Sequence, residues 1–131
     1  MRLSTLGLGL AVLSLGGCVG QSLTQGQSFP VFFAVGRATL DAPGRAVVAR
    51  AADRATHFPD QPIAVTGYAA TTPATALAYQ RARAIARGLA QDGIAPARIT
   101  TGVSTDKTLL ATALADRRVD IRVGPDATAP R

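Results

Sequence analysis

The chain has 131 residues and carries 14 lysines and arginines against eight acidic residues, which gives a formal net charge of +6. This length suits one small domain rather than two, and a single cysteine excludes an intramolecular disulfide. One histidine and one cysteine are too few for a zinc or iron site, so we expect no metal and no cofactor. The basic surplus favours anionic partners such as phospholipid headgroups or carboxylates.

The first 17 residues have the architecture of a signal peptide. Arg2 precedes an apolar run that ends at Leu15, and two glycines follow it before Cys18. The run is shorter than the roughly 18 residues that a spanning helix needs, so we expect residues 1–17 to be removed. The final Leu-Gly-Gly-Cys resembles the lipobox of bacterial lipoproteins, which implies a diacylglyceryl group on Cys18 and an acyl chain such as palmitate on the new amino terminus. The alternative is an ordinary secretory signal.

Residues 18–28 are predicted to be a lipidated anchor and a polar tether that holds a domain, residues 29–124, close to a bilayer. Val19 stands where an aspartate would indicate retention in the inner membrane, so the lipobox resemblance implies a lipid anchor in the outer membrane and a domain facing the periplasm. Exported lipoproteins rarely meet nucleic acid, so we expect no nucleic-acid partner. The tail, residues 125–131, is rich in Pro, Ala and Thr and is predicted to be disordered.

Four strands and two helices are predicted along the domain. Apolar residues from Phe29 to Val35 indicate a buried strand. Asp41 caps a helix that has apolar residues at helical spacing as far as Pro59. The other elements are a strand from Ile63 to Tyr68, a helix from Thr75 to Gln91, strands from Ile99 to Val103 and from Arg118 to Val123, and a possible short helix between Asp106 and Ala115. The order β-α-β-α-β-β predicts an α+β, two-layer sandwich with both helices on one face of a mixed sheet.

The second helix places one charged residue among its apolar positions. Arg81 falls inside the apolar stripe, whereas Arg83 and Arg87 fall on the opposite, solvated side. A desolvated charge without a partner costs several kcal/mol, so Arg81 must find acceptors or reach water. Either it reaches solvent or pairs with Asp116 or Asp120, or its planar fork binds a ligand carboxylate.

No group of residues indicates catalysis. His57 stands at the predicted end of the first helix, beside Phe58 and Pro59, where a structural role is favoured. The eight aspartates are scattered singly, and no glycine-rich phosphate loop follows a strand. We therefore expect a binding or structural protein without catalytic residues.

Five segments of the chain occur in the order of a known domain. They are Arg37 to Leu40, Ile63 to Tyr68, Leu77 with Arg81-Ala82, Gly93 to Thr101, and Arg117 to Ile121. Together they resemble the OmpA-like domain of OmpA, Pal and MotB, over about Phe29 to Val123. The resemblance implies a domain that attaches outer-membrane and flagellar-motor proteins to peptidoglycan.

The resemblance also implies a ligand site, and the chain departs from it. In the family, the arginine that matches Arg81 holds a carboxylate of the diaminopimelate in the stem peptide, and an aspartate after the second strand holds its ammonium group. The family's Gly-His-Thr-Asp is Gly-Tyr-Ala-Ala at residues 67–70, so an alanine without any side-chain acceptor replaces the acid. The loop that follows is also shorter. We expect weakened binding through Arg81, with Tyr68, Thr71 and Thr72 as neutral hydrogen-bonding groups.

Two functions are consistent with these features. The first is an outer-membrane lipoprotein that binds peptidoglycan non-covalently and links the outer membrane to the cell wall. The second is a divergent OmpA-like module that keeps the fold and serves as a structural or protein-interaction part of an envelope complex without binding peptidoglycan.

Overall fold

The computed structural model describes residues 26–106 and 114–128. Its elements are β1 (Gln27–Phe32), α1 (Ala42–His57), β2 (Ile63–Tyr68), α2 (Thr75–Gln91), β3 (Ile99–Ser104) and β4 (Arg118–Val123). The predicted order and the α+β class are confirmed. Outside the described residues lie the predicted signal peptide, Cys18 and most of the tether. The middle of the short helix predicted between Asp106 and Ala115 also lies outside them. Ala115 itself begins a 3₁₀ turn.

The first strand lies earlier in the chain than the sequence predicts. It begins at Gln27, within the predicted tether, and ends at Phe32 rather than at Val35. The chain turns immediately afterwards, because Gly36 adopts a φ of 67° and the Arg37 N–H donates to the Ala34 carbonyl at 3.1 Å. The apolar run therefore continues into an exposed loop instead of extending the strand.

The sheet has the order β1-β4-β2-β3, with β2 and β3 parallel and β4 antiparallel to both of its neighbours. The last strand of the chain therefore lies inside the sheet. This order brings the carboxyl ends of β1, β2 and β3 and the start of β4 together at one end of the strands. We call this end of the sheet the loop edge, which is distinct from its two outer strands. Three connections meet there: residues 33–41 after β1, residues 69–74 after β2, and the segment that leads into β4.

The two helices cover one face of the sheet and enclose the core. Side chains that fill the space between the sheet and the helices include Val31, Val65, Ile121, Ile85 and Leu89, all at most 1% exposed. The buried positions of α2 are those of the predicted stripe: Ala78, Arg81, Ala82, Ile85 and Leu89. Across the described residues, no helix is both long enough and apolar enough to cross a membrane.

Side chains fix both ends of α1. The predicted cap is confirmed, because the Asp41 carboxylate accepts a hydrogen bond from the Gly44 N–H at 2.8 Å. At the other end, one terminal nitrogen of Arg98 donates to the carbonyls of Ala55, Phe58 and Gln61, at 2.9 to 3.0 Å. Arg98 thereby joins the end of α1 to the start of β3.

Candidate functional site

Arg81 lies at the loop edge and is 4% exposed. Its guanidinium donates three hydrogen bonds, all to backbone carbonyls: Nε to Arg37 at 2.8 Å, Nη1 to Asp116 at 2.9 Å and Nη2 to Ala34 at 3.2 Å. Two of these carbonyls belong to the loop after β1, and the third belongs to the turn before β4. The side chain thus joins two loops that are distant in sequence.

The surroundings of Arg81 leave its charge only partly compensated. Burial, together with the nearby charge of Arg117, lowers the pKa of Arg81, and the charge of Asp116 opposes this shift. The Phe33 ring lies beneath the guanidinium, 5.6 Å from its carbon to the ring centroid. Of the two internal partners that the sequence suggests, Asp116 is the one contacted, but through its carbonyl rather than its carboxylate.

Asp116 has an unused acceptor beside this arginine. Its carboxylate oxygen Oδ1 is buried and accepts no hydrogen bond from any residue that the structure describes. A buried acceptor without a donor costs about 1–3 kcal/mol. An ordered water, or an ammonium group that enters this enclosed position, is the kind of donor that the oxygen lacks.

Tyr68 ends β2 and contacts a charged pair on β4. Its hydroxyl donates to Asp120 Oδ2 at 3.0 Å, and Asp120 Oδ1 lies 3.1 Å from Arg118 Nε. The Arg118 guanidinium also lies over the Tyr68 ring, 4.6 Å from its centroid. Burial is the main cause that raises the pKa of Tyr68, and the charge of Asp120 adds to it, while Arg118 partly opposes both.

The other predicted site residues are spread over this edge. Thr71 is exposed, and Thr72 opens a short 3₁₀ turn before α2. Ala70, which stands in place of the family's acid, is half-buried. Arg81 lies on the face of the sheet that the helices cover, whereas Tyr68 and its partner Asp120 stand at positions that alternate onto the other face. No direct hydrogen bond joins Arg81 to Tyr68 in the part of the chain that the structure describes. The use of Arg81, Tyr68, Thr71 and Thr72 for a ligand stays a prediction.

The sequence pattern does not reveal the roles of two residues of the site. It suggests Asp116 and Asp120 only as partners for Arg81, whereas Asp120 contacts Tyr68 and Asp116 presents a free carboxylate oxygen. The signal for Asp116 is its place directly before two consecutive arginines, Arg117 and Arg118. No group of His, Cys, Asp or Glu among residues 26–106 and 114–128 could hold a metal ion.

The chain belongs to the OmpA family, whose sequence pattern it matches over residues 32–122. No curated protein matches it. Its fold is similar to that of the OmpA-like domain of FopA1 from Francisella tularensis, with 24% identity, a TM-score of 0.68 and coverage of 75% of this chain and 71% of that one.

Two further solved structures share the fold. The peptidoglycan-associated lipoprotein from Burkholderia pseudomallei is 19% identical, with a TM-score of 0.63 and coverage of 72% of this chain and 88% of that one. The C-terminal domain of Helicobacter pylori MotB is 24% identical, with a TM-score of 0.62 and coverage of 75% and 85%. At these identities the likeness establishes the fold, and the ligand must be argued from the residues at the loop edge.

Proposed function

We propose that this protein is a lipid-anchored envelope protein whose OmpA domain binds the stem peptide of peptidoglycan at the loop edge. The observation that carries the proposal is that the buried Arg81 lies beside Asp116, whose buried carboxylate oxygen Oδ1 lacks a donor among the described residues. A zwitterionic amino acid offers both a carboxylate and an ammonium group. One site with one cation and one anion is complementary to it.

Arg81 retains capacity for a ligand despite its three backbone contacts. A guanidinium has five N–H donors, and three of them are used here, one from each nitrogen. The two that remain, one on each terminal nitrogen, suit the two oxygens of a carboxylate. Asp116 takes the role of the aspartate that the family has at the position of Ala70. The acidic group of the site then lies on the other side of Arg81.

One observation favours the alternative, a structural or protein-interaction module without affinity for peptidoglycan. Arg81 already donates hydrogen bonds to three backbone carbonyls and is 4% exposed. Its role in holding the two loops together is therefore sufficient to explain its presence. The proposals share a non-catalytic function and an envelope location. They differ in whether Asp116 and Arg81 contact a ligand.

Co-sedimentation of the full-length chain, purified in mild detergent, with isolated sacculi tests the proposal. We expect retention by the wild type, and a loss of about tenfold in affinity for Asp116→Asn, since one charge-assisted hydrogen bond is removed. Ala70→Asp restores an acid on the family's side and should increase retention. Arg83→Ala, an exposed arginine two positions further along the helix, is the matched control and should bind as the wild type does.

Arg81 needs a different treatment because its loss leaves three carbonyls without a donor. Arg81→Lys keeps the positive charge and removes the planar fork, so we compare its retention with its melting temperature. Folded Arg81→Lys protein that binds sacculi as tightly as the wild type, together with unchanged binding by Asp116→Asn, contradicts the proposal. Absence of wild-type binding that Ala70→Asp rescues supports the alternative module.

A further inference from the structure

The two outer strands of the sheet, β1 and β3, differ in how they are protected against pairing with another chain. Strand β1 contains Pro30, which has no N–H and so weakens any pairing on its open side. Strand β3 has the sequence Ile-Thr-Thr-Gly-Val-Ser, with no proline and no charged residue. Among the described residues it pairs only with β2. Proteins normally block such an edge with lysine, proline or a bulge.

The charged residue next to β3 does not protect this edge. Arg98 directly precedes the strand, yet its guanidinium turns inward to the carbonyls at the end of α1. The open side of β3 can be identified from its backbone. The Ser104 carbonyl accepts from Ala69 N–H at 3.1 Å, so it points toward β2. Backbone groups alternate along a strand, which directs the N–H and carbonyl of Thr101 and Val103 outward.

A groove continues from this open edge across the side of α2. It has a volume of about 500 Å³. Ala86, Ala90, Ile99 and Thr101 contribute its small or apolar wall. Any strand that paired with β3 would place every second side chain against this wall, because side chains alternate between the two faces of a sheet.

The rim of the groove is positive. Arg83 and Arg87 line it one helical turn apart, Tyr79 lies beside Arg83 at 5.9 Å from guanidinium carbon to ring centroid, and the lining contains no acidic residue among those that the structure describes. Both arginines are exposed. An incoming strand with acidic side chains on the face that it turns toward α2 would therefore be attracted to these arginines.

We propose that β3 and the adjacent side of α2 form a docking site for an extended acidic segment of a partner protein, which adds a fifth strand to the sheet. A second copy of this chain is disfavoured as the occupant. Pairing β3 with β3 of another copy brings Arg83 and Arg87 of both copies to the same junction, where like charges repel. The site is separate from the loop-edge cluster of Arg81, so it does not depend on peptidoglycan binding.

The test uses the full-length chain in mild detergent and a synthetic peptide of about eight residues, a common strand length, that alternates Val with Glu. A second peptide that alternates Val with Lys is the charge control. We expect the Glu peptide to bind and to slow amide hydrogen exchange of Thr101 and Val103. No binding of the Glu peptide, or equal binding of the Lys peptide, overturns the proposal.

Two variants, each with a matched control, locate the contact. Thr101→Pro removes an outward N–H without breaking a bond to β2 and should weaken binding about tenfold or more, whereas Thr101→Val should bind normally. Arg83→Glu with Arg87→Glu should reverse the preference toward the Lys peptide. Arg50→Glu with Arg122→Glu changes the net charge equally at exposed positions elsewhere and should keep the wild-type preference.

Melting temperatures confirm that the variants remain folded. Concentration-dependent dimers that Thr101→Pro abolishes would show that a second copy occupies the edge, and that result overturns the proposal of an acidic partner. Binding that is unchanged in both Thr101→Pro and the Arg83/Arg87 variant overturns it as well.

Discussion

The guanidinium of Arg81 has a structural role that does not depend on any ligand. Three carbonyls from two loops converge on its guanidinium, and each is a strong acceptor that needs a donor once water is excluded. Helical periodicity predicts the burial of Arg81 correctly, because position along the helix decides which face it lies on. It does not predict the partners, since they are backbone carbonyls of loops whose positions depend on the whole fold.

Tyr68 is the residue whose ionisation should affect stability. Burial raises the pKa of its hydroxyl above the ordinary 10.0. The native state therefore holds this proton at a pH where the unfolded chain has released it. Its contribution to stability is complete below the ordinary pKa of about 10 and is lost as pH rises through the higher folded value.

We expect Tyr68→Phe to reduce the loss of unfolding free energy at alkaline pH. At neutral pH it should lower stability by about 1.5–3 kcal/mol, the value of a hydrogen bond to a charged acceptor. Urea unfolding across the alkaline range measures both effects. Tyr79→Phe removes the other tyrosine, so tyrosinate absorbance in that variant reports on Tyr68 alone. Ionisation of Tyr68 at or below its ordinary pKa in the folded protein contradicts the prediction.

At the scale of elements, a glycine on β2 lies directly against the backbone of α2. A Cβ placed on Gly67 would overlap the backbone carbonyl group of Ala78 in α2. The absence of a side chain at Gly67 therefore sets how closely α2 approaches the sheet. That approach also places Arg81, less than one turn further along the helix, within reach of the loop carbonyls.

Gly67→Ala should displace α2 from β2 and destabilise the domain by about 3 kcal/mol or more, because backbone atoms cannot move aside as a side chain can. Gly36→Ala is the matched control. Its φ of 67° is unfavourable for alanine, but no atom lies within 4 Å of the added Cβ, so the cost should be about 1–2 kcal/mol. Chemical denaturation compares the two. Equal costs would show that the Gly67 contact can relax.

The elements differ in how far the sequence predicts them. Asp41 and the helical apolar spacing predict α1 and α2 well, because capping and amphipathic periodicity are local properties. The end of β1 is predicted too late, since Val35 belongs to the same apolar run and only the turn at Gly36 separates them. The pairing order β1-β4-β2-β3 is tertiary, and the strand patterns alone do not determine it.

For the molecule as a whole, the proposed attachment to a membrane depends on the amino-terminal segment. The resemblance to a lipobox that ends at Cys18 predicts a lipid anchor. Removal of Arg2 with the predicted signal peptide would lower the formal net charge from +6 to +5 (13 basic against 8 acidic residues), and this surplus would add attraction to anionic headgroups. Stable anchoring takes more than one acyl chain, which is what the lipobox resemblance implies. The anchor would keep the domain near its membrane, with the loop edge available to the cell wall.

Cys18→Ser should abolish labelling of the protein by radioactive palmitate and move it from the detergent phase to the aqueous phase on phase separation. The fold of the domain should not change, because β1 begins at Gln27, nine residues further on, so its circular dichroism is the control. Unchanged partition into detergent would contradict the anchor and support another mode of membrane attachment.

The position of β4 has a consequence for synthesis. The strand comes last in the chain yet separates β1 from β2, and it supplies every backbone pairing that β1 makes in the described sheet. A chain that has been synthesised only as far as Ser104 can form the parallel β2–β3 pair with its helix but has nowhere to place β1. Completion of the sheet therefore waits until β4 is available, so a chain exported amino terminus first would stay incompletely folded, and in need of protection from proteases and aggregation, until β4 had crossed the membrane.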